Sequence, residues 1–211
     1  MKLTPKYIFA IKMIIHLLSL SFVGLLVFQT LSGGLGADPA QGISHYTGKA
    51  ALNTLIITSL ISPLAKFFRQ GRLIKVRRLI GLYSFFWAVL HLLGYLALDL
   101  NFNWPLLASE LASRPYLTLG AASWLILLVL TVTSPQKIQR RLGSRWQKLH
   151  NWIYLALILS PIHYYWSVKS GLTEPVLYIL ATLILLSLRY KTFMRWLPAF
   201  FALSRTTSPR S

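Results

Sequence analysis

Three histidines carry the chemistry open to this chain. His150 and His163 stand near the two ends of one apolar stretch, LHNWIYLALILSPIHYYW (149–166), and His91 lies inside another, YSFFWAVLHLLGYLAL (83–98). An imidazole in hydrocarbon is costly unless something engages it. A neutral imidazole suits iron, and two of them on facing helices can hold one iron between them. The chemistry such a pair supports is electron transfer. Cysteine is absent from the sequence, which excludes CxxCH haem attachment, iron–sulfur clusters, zinc-thiolate sites and disulfides together. There is no Ser/His/Asp array, no pair of intramembrane carboxylates and no phosphate loop. Hydrolysis in the membrane therefore has no support.

The elements that must position these residues are membrane helices. Of the 211 residues 55% are hydrophobic and only 12% are charged, where a soluble domain carries about 25%. A span needs about 20 apolar residues, and six stretches are candidates: 7–31, 50–65, 79–98, 116–133, 149–168 and 176–190. The first extends past Phe28, longer than the apolar core of a signal peptide, and reads as a span. The net charge of +18 does not indicate nucleic acid, because the basic residues sit in short clusters between apolar runs. All of them except Lys49, Arg114 and Lys169 fall at one end of the spans. The four acidic residues, Asp38, Asp99, Glu110 and Glu174, all fall at the other. The positive-inside rule then puts both termini in the cytoplasm. The expected fold is an all-α integral membrane protein, a six-transmembrane-helix bundle over 1–192 followed by a short basic cytoplasmic tail, 193–211. The longest outward loops, 32–49 and 99–115, are too short to fold as domains. No dinucleotide fingerprint and no internal repeat is visible.

Depth sorts the histidines. His91 lies thirteen residues past Arg78 and His163 fifteen past Lys148. At about 1.5 Å per residue each is about 20 Å from the basic end of its helix. The two are level, so they form the expected axial pair; the alternative for each is a hydrogen bond to a neighbouring helix. His150 sits at the basic edge, where it either stays wet or serves a second centre about 20 Å below His163. On one ideal helix those two would point about 140° apart. Span three offers His150 no histidine partner, only Arg77 and Arg78, and His16 in span one is the substitute. His16 otherwise makes an interhelical hydrogen bond. His45, within GGLGADPAQGISHYTG, reads as a loop histidine. Pro161 lies two residues before His163 and removes one helical hydrogen bond. Gly81, Gly94 and Gly120 permit close helix approach. Arg77, Arg78, Arg140 and Arg141 are topology signals that can also meet haem propionates, a flavin phosphate or an acidic partner.

Taken together, GGLGADP (33–39), HYTG (45–48), RRLIGLYSFFWAVLHL (77–92), RPYLTLG (114–120) and LGSRWQKLHNWIYLALILSPIHYYWSVK (142–169) resemble the ferric-reductase and NADPH-oxidase membrane domain. Within it they resemble the haem-binding membrane subunits of the bacterial periplasmic protein-methionine-sulfoxide reductase system. The resemblance implies b-type haem held by His91, His163 and His150, and FMN as a further cofactor. It implies a multi-pass location in the bacterial inner membrane. Electrons would come from the quinone pool or a cytosolic flavin reductase and pass to a periplasmic molybdopterin catalytic subunit that repairs oxidised methionine. The chain departs from the oxidase pattern by lacking the inner histidine of span three and any dehydrogenase domain, and no motif supplies flavin contacts.

Two other classes compete. A transporter or metal permease with a histidine relay usually carries buried carboxylates and a repeat, and here every acidic residue lies outside the membrane core. A non-redox membrane anchor for a periplasmic enzyme would need its outward loops and not its histidines.

Overall fold

Prolines and short polar caps set where the helices begin. Pro5, Pro39 and Pro115 each occupy a first-turn position, where the missing N–H costs nothing. The Asp38 carboxylate accepts a hydrogen bond from the Gln41 N–H at 3.0 Å, and the Asn103 side chain accepts one from the Leu106 N–H at 3.0 Å. Each ties down an N–H that the first helical turn leaves without a partner. A computed structural model describes residues 4–168, 170–190 and 192–194, and among them the chain forms helices and no strand. In chain order they are α1 (Pro5–Leu31), α2 (Pro39–Phe67), α3 (Ile74–Gly94), α4 (Trp104–Ser113), α5 (Pro115–Val132), α6 (Gln136–Leu142), α7 (Ser144–His150), α8 (Ile153–Ser167) and α9 (Thr173–Leu188). A single 3-10 turn, Gly71–Leu73, leads into α3, and a π-helical turn, Tyr95–Asp99, extends it.

Four of these are long and apolar enough to cross a membrane: Pro5–Leu31, Pro39–Phe67, Gly71–Asp99 and Pro115–Val132. α9 is apolar but shorter, at 16 residues, and α8 has 15. The fifth expected span differs because the helix does not run through it. At Asn151 and Trp152 the backbone stays in the right-handed helical region but tightens, with Trp152 N–H donating to the Leu149 carbonyl and Tyr154 N–H to the Asn151 carbonyl at 3.1 Å each, so His150 ends α7 while His163 belongs to α8. The separation of about 140° expected on one ideal helix is not carried across this break. α2 starts eleven residues before the expected span because Asp38 and Pro39 nucleate it, despite the polar residues that follow. His45 consequently lies on a helix and not in a loop. The segment 99–115 also carries its own helix, α4, closed by an Arg114–Glu110 ion pair at 2.8 Å. The basic segment 136–150 is two short helices divided at Gly143, whose φ of 52° favours glycine. Most of the expected tail, from residue 195 on, lies outside the described residues.

α2 and α3 pack as an antiparallel pair, and so do α5 and α8. The Ser84 hydroxyl donates to the Ala51 carbonyl at 3.1 Å in the first pair. Ser123 and Ser160 share a 2.7 Å bond in the second. Such polar contacts and small residues replace the hydrophobic drive that is missing between helices in lipid. Around them the core gathers Leu55, Ala88, Leu127, Tyr154, Ala156, Leu157 and Leu185. α1 stands apart. Only Ile8 on it is buried, against Ile61, Val76 and Ile80, and its large apolar side chains, Phe9, Leu17, Leu20 and Phe28 among them, face outward. A helix this apolar with so little protein around it needs lipid as its solvent.

Leu157 is fully buried while Leu183 on α9 is 57% exposed. Leu157→Ala is expected to lower stability by about 2–5 kcal/mol, and Leu183→Ala by less than about 0.5 kcal/mol. Unfolding in micelles by a titrated denaturing detergent reads both; equal losses would mean that α8 does not sit at the centre of the bundle.

Candidate functional site

His91 sits near the end of α3, and His163 sits in the last turns of α8. Their rings lie side by side in the bundle, with centroids 6.2 Å apart and planes at 76°. Each ring is held from behind by the backbone of the antiparallel partner helix. His91 Nδ1 lies 3.0 Å from the Ser44 carbonyl oxygen on α2, and His163 Nδ1 lies 2.7 Å from the Tyr116 carbonyl oxygen on α5. A carbonyl can only accept, so both Nδ1 atoms carry the proton. Both Nε2 atoms are then left with a lone pair for something else. This is the arrangement in which a protein usually presents a metal-binding histidine: one ring nitrogen donates to a fixed acceptor, which sets the tautomer and the aim of the other.

A glycine makes each contact accessible. On a helix a side chain covers the turn N-terminal to its own Cα. Residue 48 would therefore cover the Ser44 carbonyl and residue 120 the Tyr116 carbonyl, and both are glycine. A Cβ on Gly48 would stand 3.2 Å from the His91 ring, and one on Gly120 would stand 2.8 Å from the His163 ring. The two cradles repeat the same spacing, 47 residues from carbonyl to histidine in each, with the glycine one turn after the carbonyl. The step in numbering that takes Ser44 to Tyr116 also takes Gly48 to Gly120, His91 to His163, Pro63 to Pro135 and Gly71 to Gly143. That repeat escaped the reading by composition and apolar runs. A search for small residues at a fixed distance from each intramembrane histidine would have found it.

The pair fits a metal. Two imidazoles bonded to one ion at about 2 Å each put their ring centres about 6 Å apart once the rings' own width is added. Two neutral nitrogens would suit the iron of a macrocycle that supplies its other ligands. No group of three or more His, Asp, Glu or Cys that could hold a metal exists among the described residues, so a bare ion has no cage here.

The other histidines stand elsewhere. His150 Nε2 is 3.1 Å from the Thr133 hydroxyl, and its ring stacks on Trp146 at 4.0 Å. Trp146 in turn donates to the Thr133 carbonyl at 3.0 Å. His16 Nδ1 lies 2.6 Å from the Tyr83 hydroxyl on the exposed side of α3, which is the interhelical bond named as its alternative. It is not beside His150. His45 follows Ser44 on α2, and its ring meets Tyr164 edge-on at 6.2 Å. The acidic end of the bundle is tied here by Glu174, which pairs with Lys49 at 3.1 Å and accepts a bond from the Tyr164 hydroxyl at 3.1 Å.

The model of the ferric reductase like transmembrane component family matches residues 47–161, a segment that holds both glycines, His91 and His150 and stops two residues short of His163. The protein-methionine-sulfoxide reductase heme-binding subunit MsrQ of Pectobacterium atrosepticum is 53% identical over 197 residues, covering 93% of this chain and 99% of its own. The MsrQ subunits of Pectobacterium carotovorum and Salmonella arizonae are each 52% identical over the same lengths.

Gly120→Ala places a methyl group inside the space of the His163 ring and is expected to pull Nδ1 off the Tyr116 carbonyl. Gly48→Ala, with 3.2 Å available, should disturb His91 less. Nitrogen-15 NMR of histidine-labelled protein in micelles reads this as loss or broadening of the His163 Nδ1–H signal. An unchanged signal in Gly120→Ala would show that the ring is not seated there.

Proposed function

The chain belongs to the ferric reductase like transmembrane family, and from that premise we propose that it carries electrons across the bacterial inner membrane on b-type haem. His91 and His163 are the axial ligands in this reading. The observation that carries it is the facing pair of imidazoles, each locked by a backbone carbonyl so that Nε2 is free, with ring centres 6.2 Å apart. A haem held there supplies a one-electron carrier. The Ser44 and Tyr116 carbonyls fix the proton on Nδ1 and keep both rings from swinging. Gly48 and Gly120 allow the rings to reach those carbonyls. Trp87, fully buried one turn before His91, helps keep water from the site.

The six crossings are α1, α2, α3, α5, α8 and α9, with 1–192 as the membrane domain, 193–211 as its tail and both termini in the cytoplasm. The pairing of helix ends supports this. His16 meets Tyr83 and Tyr46 reaches the Phe22 carbonyl; Tyr164 meets Glu174, and Asn53 meets Tyr178. Successive long helices therefore alternate in direction. α8 and α9, at 15 and 16 residues, are the shortest of the six. The electron acceptor is a periplasmic molybdopterin methionine-sulfoxide reductase subunit, in keeping with the names of the relatives. The donor is the quinone pool or a cytosolic flavin reductase, and FMN is the second cofactor. His150 would serve a second haem only after its bond to Thr133 is released.

Purified protein supplied with haem is expected to show a Soret band that shifts on reduction with dithionite. His91→Ala or His163→Ala should remove most of that band, whereas His16→Ala and His45→Ala should keep it. His150→Ala should reduce the haem content only if the second centre exists. Full haem retention in both His91→Ala and His163→Ala would reject the assigned pair.

A further inference from the structure

At the basic end of the bundle two arginines face inward with no carboxylate beside them among the described residues. Arg77 lies in the first turn of α3, and Arg189 closes α9; both are half-buried. Arg77 donates to the Ser62 hydroxyl at 3.4 Å, and Arg189 donates to the Ser59 carbonyl at 3.3 Å. Ser59 and Ser62 are one turn apart on α2, so one helix face receives both cations. Arg189 also lies 5.1 Å from the centre of the Tyr154 ring, and its charge bears directly on Arg77. Neutral partners at these distances compensate a charge poorly, and two like charges in a low-dielectric bundle repel.

No carboxylate side chain can relieve them. The sequence has four acidic residues, and all lie at the other end. Asp38 caps the start of α2, Glu174 lies in the first turn of α9, and Asp99 and Glu110 follow α3. Arg189 is about 22 Å along α9 from Glu174. Arg77 also stands at the positive end of the α3 dipole, where a cation is unfavourable and an anion is favoured. A second observation points the same way. The hydroxyls of Thr58, Ser59 and Thr182 are buried and have no hydrogen-bond partner among the described residues. Thr182 is two turns before Arg189 on the same face of α9, and Ser59 is the residue whose carbonyl receives Arg189. By contrast Arg78 is exposed and bonds to the Ser134 hydroxyl at 3.4 Å.

We propose that Arg77 and Arg189 hold an oxyanion, a carboxylate or phosphate belonging to a bound cofactor or to an anionic lipid, between α2, α3, α8 and α9. Its oxygens accept from both guanidinia and can take the idle hydroxyls as further donors. Three carriers share this chemistry: the propionates of haem, the phosphate of FMN and the headgroup of phosphatidylglycerol. The first two arms rest on the proposed haem and flavin function; the third does not.

The test sets each charged carrier against an uncharged or zwitterionic counterpart. The full chain in nanodiscs is offered haem or haem dimethyl ester, FMN or riboflavin, and phosphatidylglycerol or phosphatidylcholine, with binding read by absorbance, fluorescence quenching and native mass spectrometry. At least one pair is expected to favour the charged member about tenfold or more in the wild type. That preference should be lost in Arg77→Gln and Arg189→Gln, kept largely in Arg77→Lys, and unaffected in Lys137→Gln on the exposed face of α6. The pair that discriminates identifies the carrier. The site is overturned if no pair discriminates, or if the preference survives both glutamine variants. Should the glutamine variants not fold, the wild-type pairs decide: a preference of this size in one of them supports the site, and flat pairs overturn it. A Soret band that persists in Arg77→Gln while all three preferences are flat would reject the anion site and leave the His91–His163 reading intact.

Discussion

A backbone carbonyl that closes one nitrogen of an imidazole is the contact on which the site depends. In hydrocarbon a histidine has few ways to satisfy both ring nitrogens, and a helix has no spare donors and few open acceptors. A helical carbonyl already accepts from the N–H four residues on, but it keeps a second lone pair. The side chain at that fourth residue normally covers it. Gly48 and Gly120 uncover Ser44 and Tyr116, and the rings of His91 and His163 enter the openings. Proton position, ring direction and the 6.2 Å separation follow from these two contacts. The helices need only bring each carbonyl to the right depth. Two antiparallel pairs, α2 with α3 and α5 with α8, do so with the same spacing.

The repeat also explains why the two ends of the bundle differ. The step that carries His91 to His163 carries Arg78 to His150. Near the acidic end both halves hold an imidazole, and those imidazoles face each other. Near the basic end one half holds an imidazole and the other a guanidinium, which cannot give up its proton to ligate. Both side chains are bound to adjacent residues at the end of α5: His150 to the Thr133 hydroxyl and Arg78 to the Ser134 hydroxyl. A symmetric second pair is therefore closed to this chain by residue chemistry, whatever the helices allow.

The level placement of His91 and His163 was legible from counting residues inward from the basic clusters, because helix rise is constant and charge marks the membrane edge. The starts of α1 and α5, expected at 7 and 116 from the apolar runs, lie within two residues of the observed Pro5 and Pro115. Three things were not legible. The early start of α2 was hidden because polar residues near Asp38 and Pro39 look like a loop to a hydropathy argument, and this misplaced His45. The turn at Asn151 and Trp152 has no glycine or proline to announce it, so α7 and α8 read as one span. The carbonyl partners were hidden because a backbone acceptor has no residue type; only the absence of a side chain at 48 and 120 signals it.

Charge along the bundle bears on what an electron would experience there. A positive charge at Arg77 acts on a site at His91 from about 21 Å along α3, which at an effective dielectric of 20 is about 0.8 kcal/mol. Arg189 and the exposed basic residues add to it, the latter weakened by solvent and salt. Left bare, this field would favour keeping an electron at the basic end over passing it to the pair at the acidic end. An oxyanion on Arg77 and Arg189 cancels half of the buried part of that field if it carries one charge and all of it if it carries two, and leaves the screened surface part. The feature that stabilises two inward-facing arginines would thus also flatten the path for charge toward His91 and His163. The acidic residues cannot do this, because Glu174 and Asp38 act at the wrong end.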